Sequence, residues 1–104
     1  MVISEVKNAD SALLRKTADI IKDRLANGLF VLAAEKDGKI AMIVGIGKSI
    51  QTAKLDAVKI LNDTGTDFGI KGGGRPDFSQ AGSRSGPKIQ DILEKAEKLI
   101  EERI

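Results

Sequence analysis

Two nearly unbroken apolar runs, Leu29 to Ala34 and Ile40 to Ile46, are separated only by Glu35-Lys36-Asp37-Gly38-Lys39. Asp-Gly between two such runs is a strong signal for a tight β-hairpin, because both residues tolerate positive φ. Apolar side chains at successive positions, rather than alternate ones, mean that neither face of the hairpin meets water. A chain carrying this pair must therefore cover it on two sides. It has 104 residues with which to do so, enough for one compact domain and too few for two.

The cover is expected from helices. Leu14, Ala18, Ile21 and Leu25 recur at helical spacing behind the cap-type residues Asn8 to Ser11, and Asn27-Gly28 stops the run. This predicts a helix over roughly residues 10–26. Before it, Val2, Ser4 and Val6 alternate with Ile3, Glu5 and Lys7 as in a short, partly exposed strand. After the hairpin, Ser49 is expected to cap a second helix with Ile50, Ala53, Ala57, Val58 and Leu61 on one side, ending near Gly65. Pro87 suits the first turn of a last helix with the stripe Ile89, Ile92, Leu93, Ala96, Leu99 and Ile100. Between these two helices, residues 65–87 hold seven of the eleven glycines and read as a glycine-rich loop, with a short strand near Phe78 to Gly82. The predicted order is β-α-β-β-α-(β)-α, a single-domain α/β sandwich whose mixed central sheet is flanked by helices.

Composition narrows the chemistry. The chain has no Cys and no His, so thiolate metal sites, disulfides and a histidine general base are excluded from it. No catalytic or metal-ligating set is expected. Aromatics supply only 3% of residues, which predicts an aliphatic core, and the formal net charge is +2. That excess is unevenly spread: residues 35–60 and 65–88 are each net positive, whereas the last helix from Ile89 on is net negative. No apolar run approaches the roughly 20 residues that cross a bilayer, and the N-terminus lacks the pattern of a secretory signal. The expectation is a cytoplasmic protein with no membrane partner.

Three features invite a functional reading. Gly45-Ile46-Gly47-Lys48-Ser49 follows a strand and opens a helix, as a phosphate loop does, but Met42 stands where a Walker A loop needs its first glycine and Ile50 where the dinucleotide fingerprint needs its third. Lys48 is left as a cation able to reach a nucleic-acid phosphate. Arg15, Lys16, Lys22 and Arg24 are interleaved with Asp19 and Asp23 and read as a solvated helix face. The third feature is Lys71-Gly72-Gly73-Gly74-Arg75-Pro76-Asp77-Phe78-Ser79-Gln80-Ala81-Gly82. Three glycines permit positive φ and leave their N–H groups uncovered for a polyanion or base; Pro76 stiffens the exit; Arg75 adds a planar donor fork suited to phosphate or a guanine edge. A flexible connection with Arg75 paired to Asp77 is the plain alternative.

That third segment resembles the glycine-rich signature of the C-terminal, DHH-associated domain of alanyl-tRNA synthetases, which is shared with DHH phosphoesterases. Gly72, Gly73, Gly74, Arg75, Pro76, Asp77, Gln80 and Gly82 match it. Phosphoesterases of the wider superfamily usually place His after the glycines, where this chain has Arg75, which favours the synthetase branch. The resemblance implies a non-catalytic tRNA-binding domain of an alanine–tRNA ligase. It would touch the tRNA elbow, where the D and T loops meet, and couple aminoacylation with editing. Lys71, Lys48 and Arg84 are expected to join the matched residues at the RNA. The implied partners are alanine-specific tRNA and the aminoacylation and editing domains of the same chain, of which residues 1–104 would be a fragment. ATP and zinc are implied only for that parent enzyme. Two further readings stand beside it: an accessory domain of a DHH-type phosphoesterase for short oligonucleotides or cyclic dinucleotides, and a dimerisation module using the end of the last helix, Ile100 and Ile104.

Overall fold

The structure, a computed structural model, describes residues 2–24, 28–47, 50, 55–84 and 88–103. Lys48, Ser49, Ala53, Pro87 and Ile104, each singled out above, lie outside the described residues. The chain runs β1 (Val2–Glu5), α1 (Ser11–Arg24), β2 (Leu29–Lys36), β3 (Lys39–Ile46), α2 (Ala57–Gly65), a single 3-10 turn (Thr66–Phe68), β4 (Lys71–Arg75), β5 (Phe78–Arg84) and α3 (Ile89–Arg103). Five strands form one sheet in the order β1-β2-β3-β5-β4. β1 pairs with β2 in parallel and every other pair is antiparallel, so the sheet is mixed, as expected.

Local chemistry accounts for the elements. Asp37 and Gly38 both take positive φ, at 53° and 76°, which gives the β2–β3 hairpin a turn whose twist matches its strands. Asp10 caps α1 by accepting the Leu13 N–H at 2.9 Å. Asp56, in an extended conformation, caps α2 by accepting the N–H groups of Val58 and Lys59. The described part of the helix expected from Ser49 begins at Ala57, and Leu55–Asp56 is not helical, because a carboxylate at position 56 satisfies two orphan donors that a helix running through it would leave to its own carbonyls.

Alternation along the strands divides the core in two. Val31, Ala33, Ile40, Met42, Val44 and Ile46 face α2 and α3, where Ile60, Leu61, Ile92, Leu93, Ala96 and Ile100 meet them. Phe30, Leu32, Ala34, Ala41, Ile43 and Phe78 face α1, which contributes Leu14 and Ala18. Ile100 is fully buried in this domain, which removes it as a cue for dimerisation. Gly45 lies under the Phe30 ring, and a Cβ there would stand 2.2 Å from the ring edge. Phe30 in turn meets Phe78 edge to face, with centroids 6.4 Å apart. The glycine of the supposed phosphate loop is thus a packing glycine, covered by the aromatic ring of its cross-strand partner.

The larger correction concerns residues 65–87. The strand expected near Phe78 to Gly82 is present as β5, but the rest of the glycine segment is not a loop: β4 carries the three glycines and pairs with β5 in a second hairpin, with Pro76-Asp77 as the turn. Gly72 and Gly74 are needed for this pairing. A Cβ on Gly72 would lie 2.2 Å from the Gln80 carbonyl oxygen, and one on Gly74 2.4 Å from that of Phe78, where φ is also +152°. No described helix is long and apolar enough to cross a membrane.

Candidate nucleic-acid interface

One helix covers one sheet face, and it is narrower than the sheet. α1 lies over β2 and β3, leaving β4 and the outer half of β5 exposed on that side. Strand periodicity decides which residues share the open face. Arg75 stands opposite Phe78, Gly73 opposite Gln80 and Lys71 opposite Gly82, and Phe78 points to the α1 side. Lys71, Gly73, Arg75, Gln80, Gly82 and, by the same alternation, Arg84 therefore line one surface, while Gly72 and Gly74 belong to the other. Lys48 lies outside the described residues.

The turn of this hairpin is pinned to the body of the domain. The Pro76 carbonyl accepts the Ala57 N–H and the Asp77 carbonyl accepts the Ile46 N–H, each at 2.9 Å. Ala57 is the first residue of α2, so its N–H has no partner within the helix; one bond fills that vacancy and fixes the turn. Ser79, buried beside it, donates its hydroxyl to the Ala57 carbonyl at 2.8 Å. Arg75 is thus presented on a held backbone. Of the glycine N–H groups expected to lie uncovered, that of Gly73 is committed to β5 by the alternation of a paired strand, and the outward one of Gly72 points to Asn62 Oδ1 at 3.4 Å.

Side chains gather at the turn. The Asp77 carboxylate, 12% exposed, lies 3.5 Å from Arg75 Nε and 3.6 Å from Lys22 Nζ. The Arg75–Asp77 pair of the plain alternative is real, but Arg75 remains 66% exposed, and such pairs add little stability. Arg15 places its guanidinium 4.4 Å from the Phe78 ring centroid and donates to Gln80 Oε1; Lys22 Nζ stands 5.2 Å from the same centroid. Phe78 is buried and overlaid by these cations, so it supports them and offers no ring for a base. Arg15, Gly73, Gly74, Arg75, Phe78 and Gln80 enclose a recess of about 370 Å³.

Arg15 and Lys22, read from the sequence as part of a solvated face, also border this candidate site; Arg15 is exposed and pairs with Asp19 at 3.6 Å, as that reading expects. Seven residues apart, they occupy the flank beside the buried Leu14–Ala18 stripe, a spacing visible in the sequence. Which flank faces β5 depends on the docking of α1. Gly73 completes the picture: nothing lies within 4 Å of where its Cβ would be. Of the three glycines it alone is not required by packing, and it floors the recess.

The family described as the DHHA1 domain matches residues 1–102. The alanine–tRNA ligase of Oceanobacillus iheyensis is 35% identical over 100 residues, covering 96% of this chain and 11% of the ligase. That of Aromatoleum aromaticum is 38% identical over 99 residues, covering 95% and 11%. The chain thus spans about a ninth of the length of these relatives. Among solved structures, the C-Ala domain from Aquifex aeolicus alanyl-tRNA synthetase superposes with a TM-score of 0.79 at 23% identity, covering 94% of this chain and 88% of that domain. The DHH domain of a member of the s1p family of ribosomal proteins superposes at 0.57 and 17% identity, covering 94% of this chain and 25% of that one. These two likenesses establish the fold.

Proposed function

The chain belongs to the DHHA1 domain family, and from that membership we propose that it is the non-catalytic tRNA-binding domain of an alanine–tRNA ligase. The ligases that align with 95–96% of it support the parentage. In this reading the open face of β4 and β5 grips the tRNA elbow, and the domain links aminoacylation with editing by holding one tRNA for both. ATP and zinc belong to other parts of the parent, and the setting is the cytoplasm.

The observation that carries the proposal is the gathering of Lys71, Gly73, Arg75, Gln80, Gly82 and Arg84 on one uncovered sheet face, with Arg15 and Lys22 at its edge. A folded RNA corner is read by shape and by phosphate contacts rather than through a groove. A face without side chains at Gly73 and Gly82 lets it approach closely. Arginine forks and lysine point charges around that floor suit phosphate. The net charge of +2 limits the number of phosphate contacts, so the isolated domain binds modestly and salt weakens it. Tethering to other tRNA-contacting domains raises its effective concentration.

Binding of the chain to intact alanine tRNA, measured beside an RNA hairpin of equal length lacking the D and T loops, tests this. Intact tRNA is expected to bind at least tenfold more tightly, and Arg75→Ala to erase most of that preference; loss of one such charged contact is worth roughly 1–3 kcal/mol. Equal, weak binding to both RNAs that ignores Arg75→Ala would overturn the proposal.

A further inference from the structure

At the end of the sheet far from the Pro76-Asp77 turn, the cross-strand pairing runs against electrostatics. Lys36 of β2 stands directly opposite Lys39 of β3, and Lys39 stands directly opposite Arg84 of β5. One row across three strands thus carries three cations on the α1 side, all exposed. Like charges in directly opposed positions destabilise a sheet. None of the three has a salt-bridge partner among the described residues. Glu35 precedes Lys36 in β2, and Asp10 and Asp37 line the groove beside the row; Asp10 also accepts the Leu13 N–H, and Asp37 sits in the hairpin turn.

The next row inward is Ala41 opposite Gly82, which lifts no side chain beyond a methyl group. Over it opens a groove of about 810 Å³, lined by Lys36, Lys39 and Lys71 among others. Gln80 lines both this groove and the recess at the glycine hairpin, so the two adjoin at that residue. Six residue steps separate Phe78 from Arg84, roughly 20 Å of strand. Cations that cost the fold something, and that outnumber the carboxylates Asp10 and Asp37 beside them, therefore border an open trough leading to the proposed RNA site. A local rule broken without an ion pair to offset it points to function.

We propose that the Lys36–Lys39–Arg84 row is a second phosphate-binding site, which takes the sugar–phosphate backbone of the same RNA whose folded corner rests on the glycine hairpin. It builds on the tRNA reading above and adds Lys36 and Lys39, with a role distinct from that of Arg75. Phosphates neutralise the row and relieve the repulsion within it. Binding there is insensitive to base identity and strongly salt-dependent.

The decisive variant is Lys39→Glu, which turns both like-charge oppositions of the row into opposite-charge ones. The folded chain is expected to melt at a higher temperature while its affinity for intact alanine tRNA falls more than tenfold. Lys36→Gln with Lys39→Gln is expected to weaken binding about tenfold and to flatten the dependence of log K on log salt by roughly 1.5. Wild-type affinity and salt slope in both variants, with Arg75→Ala still weakened, would overturn this second site and leave the hairpin reading standing. Failure of the wild-type chain to prefer intact tRNA would remove both.

Discussion

Gly74→Val is expected to cost the domain roughly 3 kcal/mol or more and to abolish tRNA binding with it. The first Cβ atom would meet the Phe78 carbonyl oxygen at 2.4 Å and the Ser79 Cα at 2.9 Å. Both are backbone atoms of the paired strand, so neither can rotate away. Backbone φ at this position is +152°, a region an L side chain occupies only with strain of about 1–3 kcal/mol, and forced overpacking adds a similar amount. Against a typical total of about 5–15 kcal/mol, that is a large fraction. A urea titration reads it as a lowered midpoint. Because Arg75 and the pinned turn follow at once in the chain, distortion here moves the residues that face the RNA. An unfolding free energy within about 0.5 kcal/mol of wild type, the usual range for surface substitutions, would contradict the strand geometry.

Gly45→Val is expected to be nearly as damaging for a different reason. Here the obstacle is the Phe30 ring, whose Cε1 and Cζ would lie 2.2 and 2.3 Å from a new Cβ. Phe30 is 1% exposed and abuts Phe78, so it has no free volume to enter. Overpacking of a closed core costs about 1–3 kcal/mol and occasionally more, and valine adds two methyl groups to an already forbidden Cβ. Combining Gly45→Ala with Phe30→Leu separates packing from any ligand role. If the ring is the obstacle, the cost of Gly45→Ala shrinks by about 1 kcal/mol or more in the Phe30→Leu background. Strict additivity would count against it. The glycine that suggested a nucleotide loop is then a site of ring packing, which no pattern of spacing alone reveals.

Much of the fold was legible because its strongest signals are local. Asp37-Gly38 sets the central hairpin, the Leu14–Ala18–Ile21 spacing sets α1, and the continuous apolar runs require cover on both faces. β4 was not legible. Glycine is poor in strands and carries no apolar alternation, so Gly72-Gly73-Gly74 reads as a loop until β5 is placed beside it. Asp56 is as good a cap as Ser49, and the non-helical Leu55–Asp56 ahead of α2 was not anticipated. At the candidate site, the glycine signature drew attention to this hairpin, and alternation then divided its residues between two faces. Arg15, Lys22, Lys36 and Lys39 were missed together. The first two depend on how a helix docks, and the last two become conspicuous only in the register that opposes Lys36 to Lys39 and Lys39 to Arg84.

Gly73→Val puts a side chain on the bare floor of the open sheet face at a position where folding does not demand glycine. Its Cβ meets nothing within 4 Å, and a β-branched residue suits a strand, so the melting temperature should stay at or slightly above that of wild type. If this face receives the tRNA elbow, affinity for intact alanine tRNA should nevertheless fall at least tenfold, because the added methyl groups occupy the recess beside Arg15, Arg75 and Gln80. A stably folded Gly73→Val chain that binds intact tRNA as tightly as wild type would contradict the assignment of this face to RNA.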